Sequence, residues 1–197
     1  MAKRFLNVGG GDKETEVPGI YNGWVHVLLD IDPSVSPDIC MDARSLETLE
    51  GSQFDAVYCS HNLEHYYAHD VKKVLAGFHH VLKEDGFAEI RVPDMDALFK
   101  EIVSKKLDID DLLYQSDDGP VLVRDVIYGF GPQIEHSGVG FYAHRTGFTR
   151  KSMHSATTKA GFPFSVFTRG RHLEVAVRVF KRRPTQEQAD LLGIKLS

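Results

Sequence analysis

The chain has 197 residues, 42% of them hydrophobic, with 23 Lys and Arg against 28 Asp and Glu for a formal net charge of −5. That length suits one domain with enough chain to bury a core, and that balance gives no overall electrostatic footprint for nucleic acid, the basic Lys181-Arg182-Arg183 triplet being local. No apolar run approaches the roughly 18 residues of a membrane span, and the opening "MAKRFLNVGGG" lacks the apolar stretch of a signal peptide. Two cysteines, Cys40 and Cys59, are too few to ligate an iron–sulfur cluster alone. The expectation is a cytoplasmic, reducing setting, with neither nucleic acid nor membrane as partner. Nothing in the sequence fixes an oligomeric state.

In chain order, "RFLNVG" (4–9), "VHVLLD" (25–30), "DICM" (38–41), "FDAVYC" (54–59) and "FAEIRV" (87–92) are short β-rich runs. Before the last of them, Asp70 can cap a helix whose Val71, Val74, Leu75, Phe78, Val81 and Leu82 share one face, with Gly86 just beyond its end. Such alternation predicts an α/β fold with a mainly parallel sheet. After Pro93 it lapses: residues 94–148 hold two or three weaker helical patterns and a Gly-rich loop, until "TRKSMHSATTKAGF" resumes as a helix capped by Thr149. "FSVFT" and "HLEVAVRVF", separated by "RGR", predict an antiparallel hairpin, and the last fifteen residues a surface helix or a frayed tail. The organisation expected is one domain over 1–197, with 94–148 as a cap insertion.

The loop after the first strand, "NVGGGDKETEVPG", puts Gly9, Gly10 and Gly11 in a row, which lets backbone pass close to a ligand and frees amides to face it. A dinucleotide fingerprint would need glycine at the sixth position counted from Gly9, where Glu14 stands, so a pyrophosphate would meet a carboxylate. The loop suits a ligand without phosphates. The second strand ends in "LLDIDP": Asp30, at a strand's carboxyl end beside the first strand, is placed to take both hydroxyls of a ribose, whereas Asp32 before Pro33 suits an Asx turn. Asp42 in "CMDARSL" can accept from an exocyclic amine of a base or start a helix near Ser45.

"SHNLEH" (60–65) poses a separate question. His61, Glu64 and His65 spell H-x-x-E-H, and a helix would set the two imidazoles one turn apart, as an inverted zinc-protease motif requires. Zinc would need a third ligand, and although His136 and His144 exist, the sequence specifies neither.

Six stretches in this order, "LNVGGGD", "LLDID", "MDARSL", "FDAVYCSHNLEH", "HHVLKEDGFAEIRVPD" and "HRTGF…AGF", resemble the class I S-adenosylmethionine-dependent methyltransferases, especially the methyltransferase-11 type. The resemblance covers residues 4–93 well and 144–180 loosely. It implies a Rossmann-like, doubly wound, mainly parallel seven-stranded sheet whose last strand is antiparallel, with S-adenosylmethionine as cofactor. It also implies that Gly9 and Gly11 approach the methionine part, Asp30 holds the ribose, Asp42 and Ala43 reach the adenine, and Ser60 lines the sulfonium side; Gly10 and Ile31 complete the cofactor set. Asn7 stands where the family often has an acidic residue, and Lys13 where its longer loop has a third glycine. The family's strand order sets Cys40 and Cys59 three strand spacings apart, so both are expected as free thiols.

On this resemblance "SHNLEH" starts at the carboxyl end of a buried strand, where methyl donor and acceptor meet, and no metal is expected. The reaction expected is in-line transfer of a methyl group to a small polar acceptor, on oxygen or nitrogen, with His61, Asp94 and His144 as candidate proton acceptors. Tyr114, Tyr128, Tyr142 and His136 offer the cap an aromatic and polar lining. Two alternatives stay open: a non-catalytic module that binds S-adenosylmethionine, and a zinc hydrolase built on His61, Glu64 and His65.

Overall fold

The computed structural model describes residues 2–116, 119–170 and 173–195. Nine strands and six α-helices are present among them: β1 (Arg4–Val8), β2 (Val25–Asp30), β3 (Ile39–Cys40), β4 (Phe54–Ser60), α1 (Ala68–Val81), β5 (Leu82–Pro93), α2 (Met95–Lys105), β6 (Leu112–Ser116), β7 (Gly119–Leu122), α3 (Val123–Tyr128), α4 (Gly131–Ser137), α5 (Arg150–Lys159), β8 (Phe164–Arg169), β9 (Glu174–Phe180) and α6 (Gln186–Leu192). Seven strands form one sheet in the order β3-β2-β1-β4-β5-β9-β8. β1 to β5 pair in parallel, and β9 runs antiparallel between β5 and β8. This is the mainly parallel α/β sheet that the alternation predicts, in the Rossmann-like, doubly wound form that the family resemblance implies. The register β2–β1–β4 leaves two strands between β3 and β4, and Cys40, exposed, and Cys59, buried, are both free thiols.

Strand alternation divides the core between the two sheet faces. Leu6, Val8, Val57, Cys59, Ala88, Ile90, Val92, Val175, Val177 and Val179 face α1 and α5, joined by Val71, Val74, Leu75, Phe78 and Met153. Phe5, Ala56, Tyr58, Phe87 and Phe180 face the other way, under Tyr21 and the C-terminal segment. That segment is docked: Thr185 caps α6 by accepting from the Gln188 amide, and Ala189, Leu192 and Ile194 are buried. No helix among the described residues is long and apolar enough to cross a membrane.

Three local expectations are corrected. Helix α1 starts at Ala68, with Tyr67 as its cap residue, so Asp70 lies inside the first turn; there it pairs with Lys73 and Arg44 and opposes the positive end of the helix dipole. Gly86 closes no helix, because α1 stops at Val81 and the chain enters a bulged strand, where Gly86 makes a tight approach to Leu82 and the Asp55 carbonyl. Residues 94–148 contain, besides α2, α3 and α4, the hairpin β6–β7. Pro120 on β7 argues against a strand in the sequence, but a two-stranded ribbon is all edge and tolerates it.

Candidate active site

The parallel strands end on a cavity lined by Gly9, Gly11, Asp30, Ile31, Asp42 and His61, and also by Asp32, Val35, Arg44, Asn62, His65, Tyr66, Tyr67, Asp70, Phe141, Tyr142 and Arg145. Its floor is the turn after β1. Gly9 has φ +67°, its amide donates to the Leu29 carbonyl at 2.8 Å, and a Cβ there would stand 2.0 Å from Nδ2 of Asn62. The glycine is thus required twice, by its left-handed backbone and by the Asn62 amide lying against it. A Cβ on Gly10 would meet the Asn7 amide at 2.2 Å; Asn7 is buried and bonds His26 at 3.2 Å, so it fills from below the space that Gly10 leaves.

Asp30 ties this loop to β2: its Oδ2 accepts from the Gly11 amide at 3.1 Å and its Oδ1 from the Asp32 amide at 3.0 Å. Each oxygen keeps a second lone pair for another donor. Ile31 beside it is 39% exposed and offers an apolar face to the cavity. Asp32 makes the Asx turn expected of it, accepting from the Ser34 amide. Asp42 takes the helix-start role: its Oδ1 accepts from the Arg44 amide, capping the 3-10 turn Ala43–Thr48, while its Oδ2 accepts from Nε and Nη2 of Arg44. Partial burial raises the Asp42 carboxyl, but Arg44 outweighs it and holds the group below its ordinary value. Arg44 also reaches Asp70 at 3.3 Å, so one guanidinium joins the end of β3 to α1.

Opposite the glycines, "SHNLEH" forms no α-helix. His61 has φ +49°, its amide donates to the Arg91 carbonyl, and the only helical turn is the short 3-10 segment Leu63–His65. The helical face of an inverted zinc-protease motif is therefore absent. His61, 55% exposed, stands between two carboxylates, Nδ1 at 3.5 Å from Glu64 and Nε2 at 3.3 Å from Glu174. Lost solvation pulls its pKa down, yet Glu174 and Glu64 prevail and push it up to about 9. His65 turns the other way: Nδ1 lies 3.2 Å from the Ala143 carbonyl and Nε2 3.1 Å from the His61 carbonyl, and its ring lies 5.1 Å from that of His144. His144 is fixed by Nδ1 against the Val126 carbonyl at 3.0 Å, and burial lowers its pKa below the ordinary histidine value. The Glu64 carbonyl accepts from the amides of Arg145 (2.8 Å) and Thr146 (3.2 Å), clamping the 143–146 segment onto this turn.

The remaining sequence candidates lie elsewhere. Gly10, Ala43 and Ser60 are not on the cavity wall: Ala43 is 1% exposed, and Ser60 ends β4 opposite Arg91. Asp94 caps α2, its Oδ1 accepting from the amides of Asp96 and Ala97, and opens on a second hollow with Arg150, Thr168 and Glu174. The structure thus brings His144 together with the Glu64–His65 turn and leaves Asp94 apart. Sequence reasoning did not single out Asn62, Tyr66, Tyr67 or Arg145; the aromatic pair directly after "SHNLEH" was the available signal, and Arg145 stacks on Tyr67 at 5.0 Å.

Residues 24–90 match the methyltransferase domain family. No curated protein matches the sequence. Solved structures with the same fold include a SAM-dependent methyltransferase from Archaeoglobus fulgidus (14% identity, 90% of this chain and 86% of that one, TM-score 0.57). Another is a SAM-dependent methyltransferase from Methanosarcina mazei (14% identity, 91% and 92%, TM-score 0.54). A third, from Thermotoga maritima, is described as a possible histamine N-methyltransferase (14% identity, 91% and 82%, TM-score 0.54). At such identities these likenesses speak for the fold. The strand order and the glycine floor are those of an S-adenosylmethionine-dependent methyltransferase fold, and residues 24–90 within it carry the methyltransferase-domain sequence.

Proposed function

We propose that the cavity at the ends of β1, β2 and β4 holds the cofactor and that the acceptor, a small polar molecule methylated on oxygen or nitrogen, enters beside the Glu64–His65 turn under residues 128–145. The observation that carries this reading is the cradle itself. Gly9 and Gly11 present bare backbone, Asp30 faces the cavity with lone pairs to spare, and Asn62 Oδ1 is buried there with no hydrogen-bond donor. An adenosine linked to an amino acid supplies what these groups lack: ribose hydroxyls for Asp30, an ammonium for Asn62 Oδ1 and an adenine face for Ile31. Asp42, engaged by Arg44, presents the rim at the adenine end. Gly10, Ala43 and Ser60 support this set from behind.

When bound, the cofactor supplies a sulfonium-activated methyl group. The protein's share is to align the acceptor behind that methyl, exclude water and receive a proton: an acceptor O–H or N–H is lost, a C–O or C–N bond forms, the S–CH3 bond breaks, and a thioether and one proton are released. Tyr67, Tyr142 and Phe141 give the acceptor side an aromatic wall with His65 beside them, and His144, packed against the His65 ring behind that wall, receives the proton. Asp94 serves as a helix cap. Residues 94–148 act as the specificity cap, and two free thiols suit a reducing cytoplasm.

The test separates binding from transfer. His144→Ala should bind S-adenosylhomocysteine within about threefold of wild type, under 1 kcal/mol, by calorimetry. Its methyl transfer to a panel of small hydroxyl and amine acceptors, read as S-adenosylhomocysteine release in single turnover, should fall on the order of a hundredfold. Failure of the wild-type protein to bind S-adenosylhomocysteine, or loss of that binding in the variant, would overturn this division of the site.

A further inference from the structure

The least satisfied polar group in the site is the Glu64 carboxylate. The residue is 1% exposed, neither carboxylate oxygen has a hydrogen-bond partner, and the nearest cation is the half-exposed His61 ring at 3.5 Å. A buried carboxylate left in this way is costly unless something pairs with it. One ligand atom from each of Glu64, His65 and His144 lies within 4.8 Å of the others. We infer that these three residues form a binding site for a first-row divalent cation, a two-histidine, one-carboxylate set of which His65 reaches the cavity wall.

Three features of the chain support this beyond proximity. First, His144 gives its Nδ1 hydrogen to the Val126 carbonyl, which fixes the tautomer and leaves Nε2 as a lone pair, the arrangement in which a backbone carbonyl orients a metal-ligating imidazole. Second, a neutral His65 can donate to only one of its two carbonyl neighbours, so its other nitrogen turns a lone pair on a carbonyl oxygen 3.1 or 3.2 Å away. Ligand atoms about 3 Å apart are what adjacent positions around a cation at about 2.1 Å provide, so a cation relieves that contact. Third, the two segments that carry the ligands are joined by main chain, through the Arg145 and Thr146 amides on the Glu64 carbonyl and the His144 amide on the Tyr128 carbonyl at 2.9 Å. The ligand set is therefore held by the backbone before any ion arrives.

Nitrogen, nitrogen and carboxylate oxygen suit Zn2+ and its first-row neighbours, and three protein ligands leave positions for another molecule. That the cation serves the reaction rests on the functional reading above: an acceptor hydroxyl facing it would lose its proton more readily, and Glu64, His65 and His144 would then act by holding the ion. Cation binding itself stands independently of that reading.

The experiment is calorimetric titration of the chelator-treated, dialysed protein with Zn2+, with S-adenosylhomocysteine titrated in parallel. Wild type should take up one equivalent. Glu64→Gln, which keeps the side-chain shape, and His144→Ala should each weaken uptake at least tenfold, while His154→Ala, a surface histidine bonded to Ser165, should leave it unchanged. Far-UV circular dichroism on each variant confirms that it is folded. The inference is overturned if wild type shows no saturable Zn2+ uptake, as pairing of Glu64 with the His61 ring alone would give, or if uptake survives both Glu64→Gln and His144→Ala. Loss of S-adenosylhomocysteine binding in wild type would instead count against the functional reading and leave the cation result standing.

Discussion

The two sides of the cavity are built differently. The side formed by Gly9–Gly11 and Asp30–Asp42 is made of strand ends: main-chain amides, bare glycine backbone and carboxylates that leave β2 and β3 at fixed registers. The side formed by His61–Tyr67 and Phe141–Arg145 is made of side chains from segments about eighty positions apart, held together by main-chain hydrogen bonds to the Glu64 carbonyl. The first side has little freedom to vary without losing the sheet, whereas the second can change its lining without touching a strand. Recognition of a common cofactor suits the first and choice of acceptor the second.

Breaking the strand-end side should have the largest effect on binding. Asp30→Ala removes a charged acceptor and also the tie between the Gly11 amide and β2, and should cost about 3 kcal/mol, on the order of a hundredfold in S-adenosylhomocysteine affinity by calorimetry. Asp32→Ala, whose carboxylate serves only the Ser34 turn, should cost much less, and equal losses would remove Asp30 from the site. Next come the glycines. Gly11→Ala meets nothing within 4 Å and carries only the strain of a left-handed residue, about 1 kcal/mol in thermal or denaturant unfolding, whereas Gly9→Ala adds a clash with Asn62 and should destabilise more and weaken the cofactor. Similar unfolding midpoints for the two would mean that Asn62 moves freely and is no part of the floor. The smallest effect belongs to Asp94, which borders neither side. Asp94→Ala should lower stability by about 1 kcal/mol through the lost α2 cap and leave single-turnover methyl transfer unchanged. A drop in transfer without a drop in stability would return Asp94 to the chemistry.

The same contrast explains what the sequence allowed one to read. The strands, the C-terminal hairpin, the glycine loop and Asp30 were legible because period-two patterns and strand-end positions are local signals, whereas the strand order and the antiparallel β9 came with the family resemblance. Asp70 was misplaced at the start of α1 because a carboxylate suits both the cap and the first turn, and only the Arg44 pairing distinguishes them. The acceptor side was half legible. "SHNLEH" drew attention as a metal pattern, but the spacing assumed a helix that the left-handed His61 prevents, and the partner that completes the cluster, His144, is placed by the Tyr128 and Glu64 carbonyls, which leave no trace in sequence spacing. Asn62 was missed because its role comes from lying on Gly9, a contact between two loops.

The most direct test of the central claim, that strand ends hold the cofactor and the Glu64–His65–His144 side receives the acceptor, is a crystal structure with S-adenosylhomocysteine bound. The account predicts ribose hydroxyls within hydrogen-bond distance of Asp30, the amino-acid end over Gly9 and Asn62, and the sulfur facing the His65–Tyr142 side. A ligand seated instead in the hollow beside Asp94 and Glu174, or one that left Asp30 unengaged, would contradict it.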